Sequence, residues 1–178
     1  MPDLEEEIVI NDANIFIDLI NIDLLEKFLK LDLSFQTTDF VIKELNDTDD
    51  IKQKKIVKKL IMQGESINIV KFKNSELNEM SKIQNINNGL SFTDSSCIFL
   101  AKKEKGILLT GDNLMRKLIE KAEIEVHGIV WVFDKLLEHN IINYKIAIEK
   151  MELLLEINQR LPVGICKSRI KKWSKKLK

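Results

Sequence analysis

The 178-residue chain contains only two cysteines, Cys97 and Cys166. They form no CxxC pair and no dense pattern, which excludes a disulfide-stapled scaffold and points to a reducing compartment. Its two histidines, His127 and His139, are too few to build a typical zinc set with those cysteines, and both read as surface or capping residues. No apolar run approaches the roughly 18 residues that a membrane span needs. The start of the chain carries Asp3, Glu5, Glu6 and Glu7 and has no positive n-region, so a secretory signal is not expected. Net charge is absent too, with 28 Lys and Arg against 28 Asp and Glu. These absences predict a reduced, cytoplasmic protein with no membrane role.

What is present is the composition of an ordinary globular domain, 44% apolar and 31% charged. The length suits one compact α/β domain with a helical extension. The balanced charge hides a basic tail of Lys167, Arg169, Lys171, Lys172, Lys175, Lys176 and Lys178, with no acid among them. Such a tail either touches a phosphate backbone or is a solvated helix end. Trp173, set among these lysines, either stacks on a base or packs its helix down. Lys171, Lys172 and Trp173 are therefore the candidate nucleic-acid contacts.

Short β-branched or alternating runs predict strands at 8–10, 33–36, 67–72, 107–110 and 124–127. Helical periodicity predicts helices over 15–30 (with Asp23 as an internal cap between two pieces), 39–46, 49–62, 75–84, 91–105, 113–122, 129–139, 144–160 and 164–177. Thr37 or Thr38 is a natural N-cap for the second of these and Ser75 for the fourth. Strands alternating with helices argue for a mainly parallel sheet of about five strands, covered on both faces. No internal repeat and no clear boundary is visible. The natural division is a domain over 1–140 and a helical extension over 141–178. The apolar stripe Trp131, Val132, Phe133, Leu136, Leu137 reads as core, and residues 146–157 are apolar on more than one side and want covering.

Four acids stand out. Ligand sites in open parallel sheets lie beyond the carboxyl ends of the strands. Asp12 follows the first strand directly, and Asp112 follows the fourth after Thr110 and Gly111. Glu44 lies four residues after Phe40 and three after Val41. Asp94 lies three before Cys97 and four before Ile98. Helical spacing thus puts both on apolar faces, and a carboxylate is rarely buried unless paired or bound to a metal. An all-oxygen set selects a hard cation, Mg2+ or Mn2+. Each acid also has a plainer role: Asp12 or Asn14 as a cap of the first helix, Asp112 as a cap of 113–122, Asp94 on a helix dipole, and Glu44 paired with a lysine such as Lys43 of a neighbouring subunit or Lys55.

The segments I-V-I-N-D-A-N-I-F-I (8–17), T-D-F-V-I-K-E-L (38–45), L-S-F-T-D-S-S-C-I-F-L-A (90–101) and L-L-T-G-D-N (108–113) together resemble the ordered motifs of the PIN-domain ribonuclease family, the VapC-like toxins and related prokaryotic PIN proteins. The resemblance covers about residues 6–140 and maps the family's acids onto Asp12, Glu44, Asp94 and Asp112, with Asn14, Ser96 and Thr110 at positions of polar support. It implies a three-layer α/β/α fold, a divalent metal (Mg2+ or Mn2+) and endonucleolytic cleavage of single-stranded RNA. In small prokaryotic members it implies the toxin of a toxin–antitoxin pair, a homodimer and a bound antitoxin. Many toxin members end near the close of the compact domain, whereas this chain continues through two further helices.

Two other readings compete. A non-catalytic RNA-binding or scaffold member of the same fold is motivated by the basic tail and the extra helices. A phosphate-accepting receiver domain also places acids at strand ends, but it expects paired acids at the first strand and a lysine after the fifth. Here Asn11-Asp12 supplies one acid, and Gly128 follows the fifth strand.

Overall fold

In chain order the computed structural model runs β1 (Ile8–Asn11), α1 (Ala13–Asn21), α2 (Leu25–Phe28), β2 (Ser34–Thr38), α3 (Asp39–Asn46), α4 (Ile51–Gln63), β3 (Asn68–Val70), α5 (Asn74–Ile86), α6 (Phe92–Glu104), β4 (Ile107–Leu109), α7 (Asn113–Ile119), β5 (Val126–His127), α8 (Ile129–Glu138), α9 (Tyr144–Ile157) and α10 (Val163–Ser174). It describes residues 7–64, 66–120 and 122–177. Asp3, Glu5, Glu6 and Lys178, read above as parts of an acidic start and a basic tail, lie outside the described residues.

The strands form one all-parallel sheet in the order β3-β2-β1-β4-β5. Helices cover both faces, giving the expected three-layer α/β/α fold. A parallel sheet closed on both faces wants continuous apolar strands at its centre. Val9 and Ile10 of β1 and all of β4 are buried accordingly. A single apolar cluster runs from Val9 to Trp173 and includes Met151, Leu154, Leu161 and Cys166 of the last two helices and their junction. The C-terminal segment thus shares the core of the sheet domain.

Three local departures from the sequence reading have clear causes. β2 extends to Thr38 because Gln36, Thr37 and Thr38, polar though they are, pair with Asn68, Ile69 and Val70 of β3. The long first helix breaks at Asp23, which adopts φ 57° as the turn residue between α1 and α2 rather than capping a second piece. α5 starts before Ser75, because the Glu76 carboxylate accepts the Lys73 N–H at 2.8 Å and sets the cap at Lys73, two residues earlier. Among the described residues no helix is long and apolar enough to cross a membrane.

Candidate functional site

The sheet order reverses between β1 and β4: from β1 the chain proceeds outward to β2 and β3, then returns to lay β4 on the other side. The carboxyl ends of such a strand pair splay apart and leave a crevice. Asp12 sits there, its N–H donating to the carbonyl of Leu109 at the end of β4 (3.1 Å). Its carboxylate is held at three points. Oδ1 accepts from the Ala13 N–H (2.7 Å), which makes Asp12 the cap of α1. Oδ2 accepts from the Asn14 amide (2.6 Å) and from the Thr110 hydroxyl (2.8 Å). Asn14 in turn accepts the Gly111 N–H (2.8 Å), and Thr110 Oγ1 accepts the Asp112 N–H (3.0 Å). Asn14 therefore laces the two strand-end loops together instead of capping the helix. Four sequence-predicted residues (Asp12, Asn14, Thr110, Asp112) join one network.

α3 and α6 bring the remaining candidates. Ser96, fully buried, shares a hydrogen bond with the Thr38 hydroxyl (2.9 Å) and donates to the Thr93 carbonyl (2.7 Å). Thr38 caps α3 by accepting from Val41 N–H. This pair pins the start of α3 to the start of α6, with Glu44 on one and Asp94 on the other. Asp94 is half-buried and closes a capping box with Ser91, accepting its N–H at 2.7 Å. Glu44 departs from expectation. Spacing put it on the apolar face, but α3 buries Val41, Ile42 and Leu45, and Glu44 lies beside that stripe, exposed. Among the described residues of the chain it enters no ion pair, with Lys55 or any other base.

The electrostatics show which acids converge. Asp12 is 3% exposed. Its carboxyl is pushed up to about 7, first by burial and then by the charges of Asp94 and Glu44, while the hydrogen bonds from Thr110 and Ala13 pull it back. The fully buried Cys97 thiol is raised by burial and by Asp12, Asp94 and Glu44 in turn. Asp94 of α6 and Glu44 of α3 thus both lie in electrostatic range of Asp12 at the end of β1. Asp112 connects to them through Thr110, but it is exposed, and its Oδ1 caps α7 through Met115 N–H (2.8 Å).

None of the four acids is paired with a lysine, arginine or histidine among the described residues. Nor, among those residues, is any group of three or more His, Cys, Asp or Glu side chains already arranged to hold a metal. A buried, repelled and uncompensated Asp12 is the electrostatic condition a cation would relieve. The donors are all oxygen. Mg2+ keeps several waters and needs only one or two carboxylates, so an open set of this kind fits it where a closed cage is lacking.

Sequence reasoning overlooked three residues here. Arg116 directs Nη2 and Nε onto the Thr110 carbonyl (3.0 and 3.3 Å) and packs against Gly128, where any Cβ would strike the guanidinium. Thr38 was read only as a cap. The Asn11 side chain, one residue before Asp12, is fully buried with neither amide atom hydrogen-bonded to any of the described residues; a polar residue ending an apolar strand was its only signal. The proposed nucleic-acid contacts sit elsewhere. Lys171 and Lys172 are exposed on α10, but Trp173 is 3% exposed and stacked on Phe133 with centroids 5.8 Å apart. Its ring packs the helix down and is not free to receive a base.

A family model described as DUF3368: PIN domain matches residues 8–175. No curated protein matches the chain. Among solved structures the chain is similar to PAE2754 from Pyrobaculum aerophilum, with 16% identity and a TM-score of 0.52, covering 73% of this chain and 96% of that one. It is also similar, at 15% identity and a TM-score of 0.46, to VapBC2 from Rickettsia felis bound to a DNA fragment from their promoter, covering 68% of this chain and 98% of that one.

Proposed function

Because the chain belongs to the PIN-domain family, a family of nucleases, we propose that it is a divalent-metal-dependent endoribonuclease that hydrolyses phosphodiester bonds of single-stranded RNA. The observation that carries the reading is the buried Asp12 carboxylate, held by Thr110, Asn14 and Ala13 and repelled by Asp94 and Glu44, with no cationic side chain among the described residues paired with it. In this reading Asp12, Asp94 and Asp112 hold Mg2+ or Mn2+, and Glu44 binds a second ion or orients the attacking water. When bound, such an ion polarises a phosphoryl oxygen and makes a hydroxide available near neutral pH. The chain's own part is positional: Thr110 and Asn14 fix the Asp12 oxygens, and Ser96 with Thr38 sets the spacing between Asp94 and Glu44. Lysines such as Lys171 and Lys172 of the tail position the RNA backbone.

The test is cleavage of a labelled single-stranded RNA by the purified protein in Mg2+ or Mn2+ and in EDTA. Cleavage is expected only with metal, and Asp12→Asn and Asp94→Asn are each expected to lower it by roughly 100-fold or more. Variants that cut as fast as the parent would rule the reading out.

The resemblance extends the proposal to a toxin of a toxin–antitoxin pair, acting in the cytoplasm as a homodimer with an antitoxin partner. The free, buried thiols of Cys97 and Cys166 suit that reducing compartment. Harmless overexpression of a chain whose purified form cuts RNA would count against toxicity. A second reading, RNA binding without catalysis, is motivated by the basic tail and the additional C-terminal helices. Calorimetry with no heat of Mg2+ or Mn2+ binding, beside RNA binding with a steep salt slope, would select it.

A further inference from the structure

The chain has eight phenylalanines, and the fold divides them evenly. Phe16, Phe28, Phe35 and Phe133 are core residues, none more than 4% exposed. Phe40, Phe72, Phe92 and Phe99 are all half-buried, and they touch one another. Phe40 stacks on Phe72 with centroids 6.2 Å apart and meets Phe92 edge-on at 5.0 Å; Phe72 meets Phe99 edge-on at 5.9 Å. An isolated half-exposed apolar residue means little, but a contiguous group drawn from three separate segments is informative.

The location of this ridge is the second observation. Phe72 follows the end of β3, so it lies at the same carboxyl edge of the sheet as Asp12 and the Thr110–Asp112 loop. Phe40 stands one turn before Glu44 on the same face of α3, and Phe92 opens α6 two residues before Asp94. The ridge is therefore continuous with the acid cluster. The third observation is charge. Phe72 is flanked by Lys71 and Lys73, both exposed and in no ion pair among the described residues. Aromatic faces interleaved with cations are what a single strand requires, since bases stack while phosphates are neutralised. The other half-exposed aromatic at this edge of the sheet, Trp131, is already stacked on His127 (5.1 Å) with Lys135 5.3 Å from its centroid.

We propose that Phe40, Phe72 and Phe92 form a nucleobase-stacking subsite for single-stranded RNA, with Lys71 and Lys73 on the adjoining phosphates. The proposal rests on the nuclease reading and names how that site grips its substrate. It explains why apolar rings stay partly in water beside a group of carboxylates that would otherwise repel a polyanion.

The experiment uses the full chain and a fluorescein-labelled ten-nucleotide oligouridylate, with binding read by anisotropy in EDTA. Phe72→Leu keeps apolar bulk and removes the aromatic face; it is expected to bind roughly tenfold more weakly with an unchanged salt slope. Phe72→Trp is expected to restore affinity and to show indole fluorescence quenched by the oligonucleotide beyond any change in the parent. Lys71→Ala with Lys73→Ala is expected to flatten the salt slope. An abasic oligomer of equal length is expected to bind the parent and Phe72→Leu alike. Parent-like affinity of a folded Phe72→Leu, or an equal loss on the abasic oligomer, overturns the subsite. Should Phe72→Leu fail to fold, quenching in Phe72→Trp decides: unquenched indole overturns the proposal. Cleavage of the same oligonucleotide in Mg2+ by the parent separates the two levels. A parent that cuts while Phe72→Leu binds normally removes only the subsite, whereas a parent that neither binds nor cuts removes both.

Discussion

Asp12 and Asp18 are buried acids six positions apart, and the fold treats them differently. The Asp12 carboxylate is held by Ala13, Asn14 and Thr110 at the crevice, as a ligand set would need. Asp18, 6% exposed on α1, has one partner, the Asn158 amide at the end of α9 (2.9 Å). Burial raises its carboxyl to about 6, against the pull of that hydrogen bond. The folded chain therefore holds a proton on Asp18 more tightly than the unfolded chain does. Its contribution to stability is fully present below about pH 4 and is lost as pH rises through about 6. Asp18→Asn keeps an acceptor for Asn158 and removes the charge. We expect it to stabilise the protein at pH 7.5 by on the order of 1–2 kcal/mol more than at pH 4, allowing for partial screening by solvent. Urea titrations of both proteins at the two pH values test this, and a pH-independent difference would refute it.

At the scale of elements, the decisive contact is β1 against β4, because it sets Asp12 beside Thr110 across 98 positions of sequence. Gly106 lets those strands approach. A Cβ there would lie 2.5 Å from Ile10 Cδ1 and 2.8 Å from the Ile8 carbonyl oxygen, and the backbone oxygen cannot rotate away. Gly106→Ala is expected to cost about 1–3 kcal/mol and to lower metal-dependent cleavage as the crevice widens; thermal melting and the RNA assay read the two effects. The elements themselves were largely legible. The helix over 39–46 was read to the residue because Thr38 is a good cap, and Ile8-Val9-Ile10 was read as buried because β-branched runs seldom do otherwise. β2 was the least legible, since Gln36, Thr37 and Thr38 become strand only through partners supplied by β3.

At the scale of the whole molecule, the question is how the C-terminal helices relate to the rest. The sequence reading divides 1–140 from 141–178. Cys166 and Trp173 are nevertheless buried, Trp173 lies on Phe133 of α8, Arg169 pairs with Asp134 (2.8 Å), and Asn158 reaches Asp18. We therefore propose that the extension is part of one cooperative unit. Trp173→Ala is expected to cost about 3–5 kcal/mol and to leave a single calorimetric transition at lower temperature. A loss below about 1 kcal/mol, or a separate second transition, would show that the tail folds on its own.

The sequence alone determined the class of the fold, the positions of its helices and strands, and which acids stand at strand ends, since these depend on periodicity and on neighbours within a turn or two. It also carried the family motifs in order. Only the tertiary structure decided that Asp12 is buried while Glu44 faces water, that four phenylalanines gather at the site's edge, and that Trp173 turns inward. The physical reason is common to all of these. A helical or strand pattern reports which side of one element is apolar, but the burial and charge environment of a side chain are set by whichever distant segment packs against it.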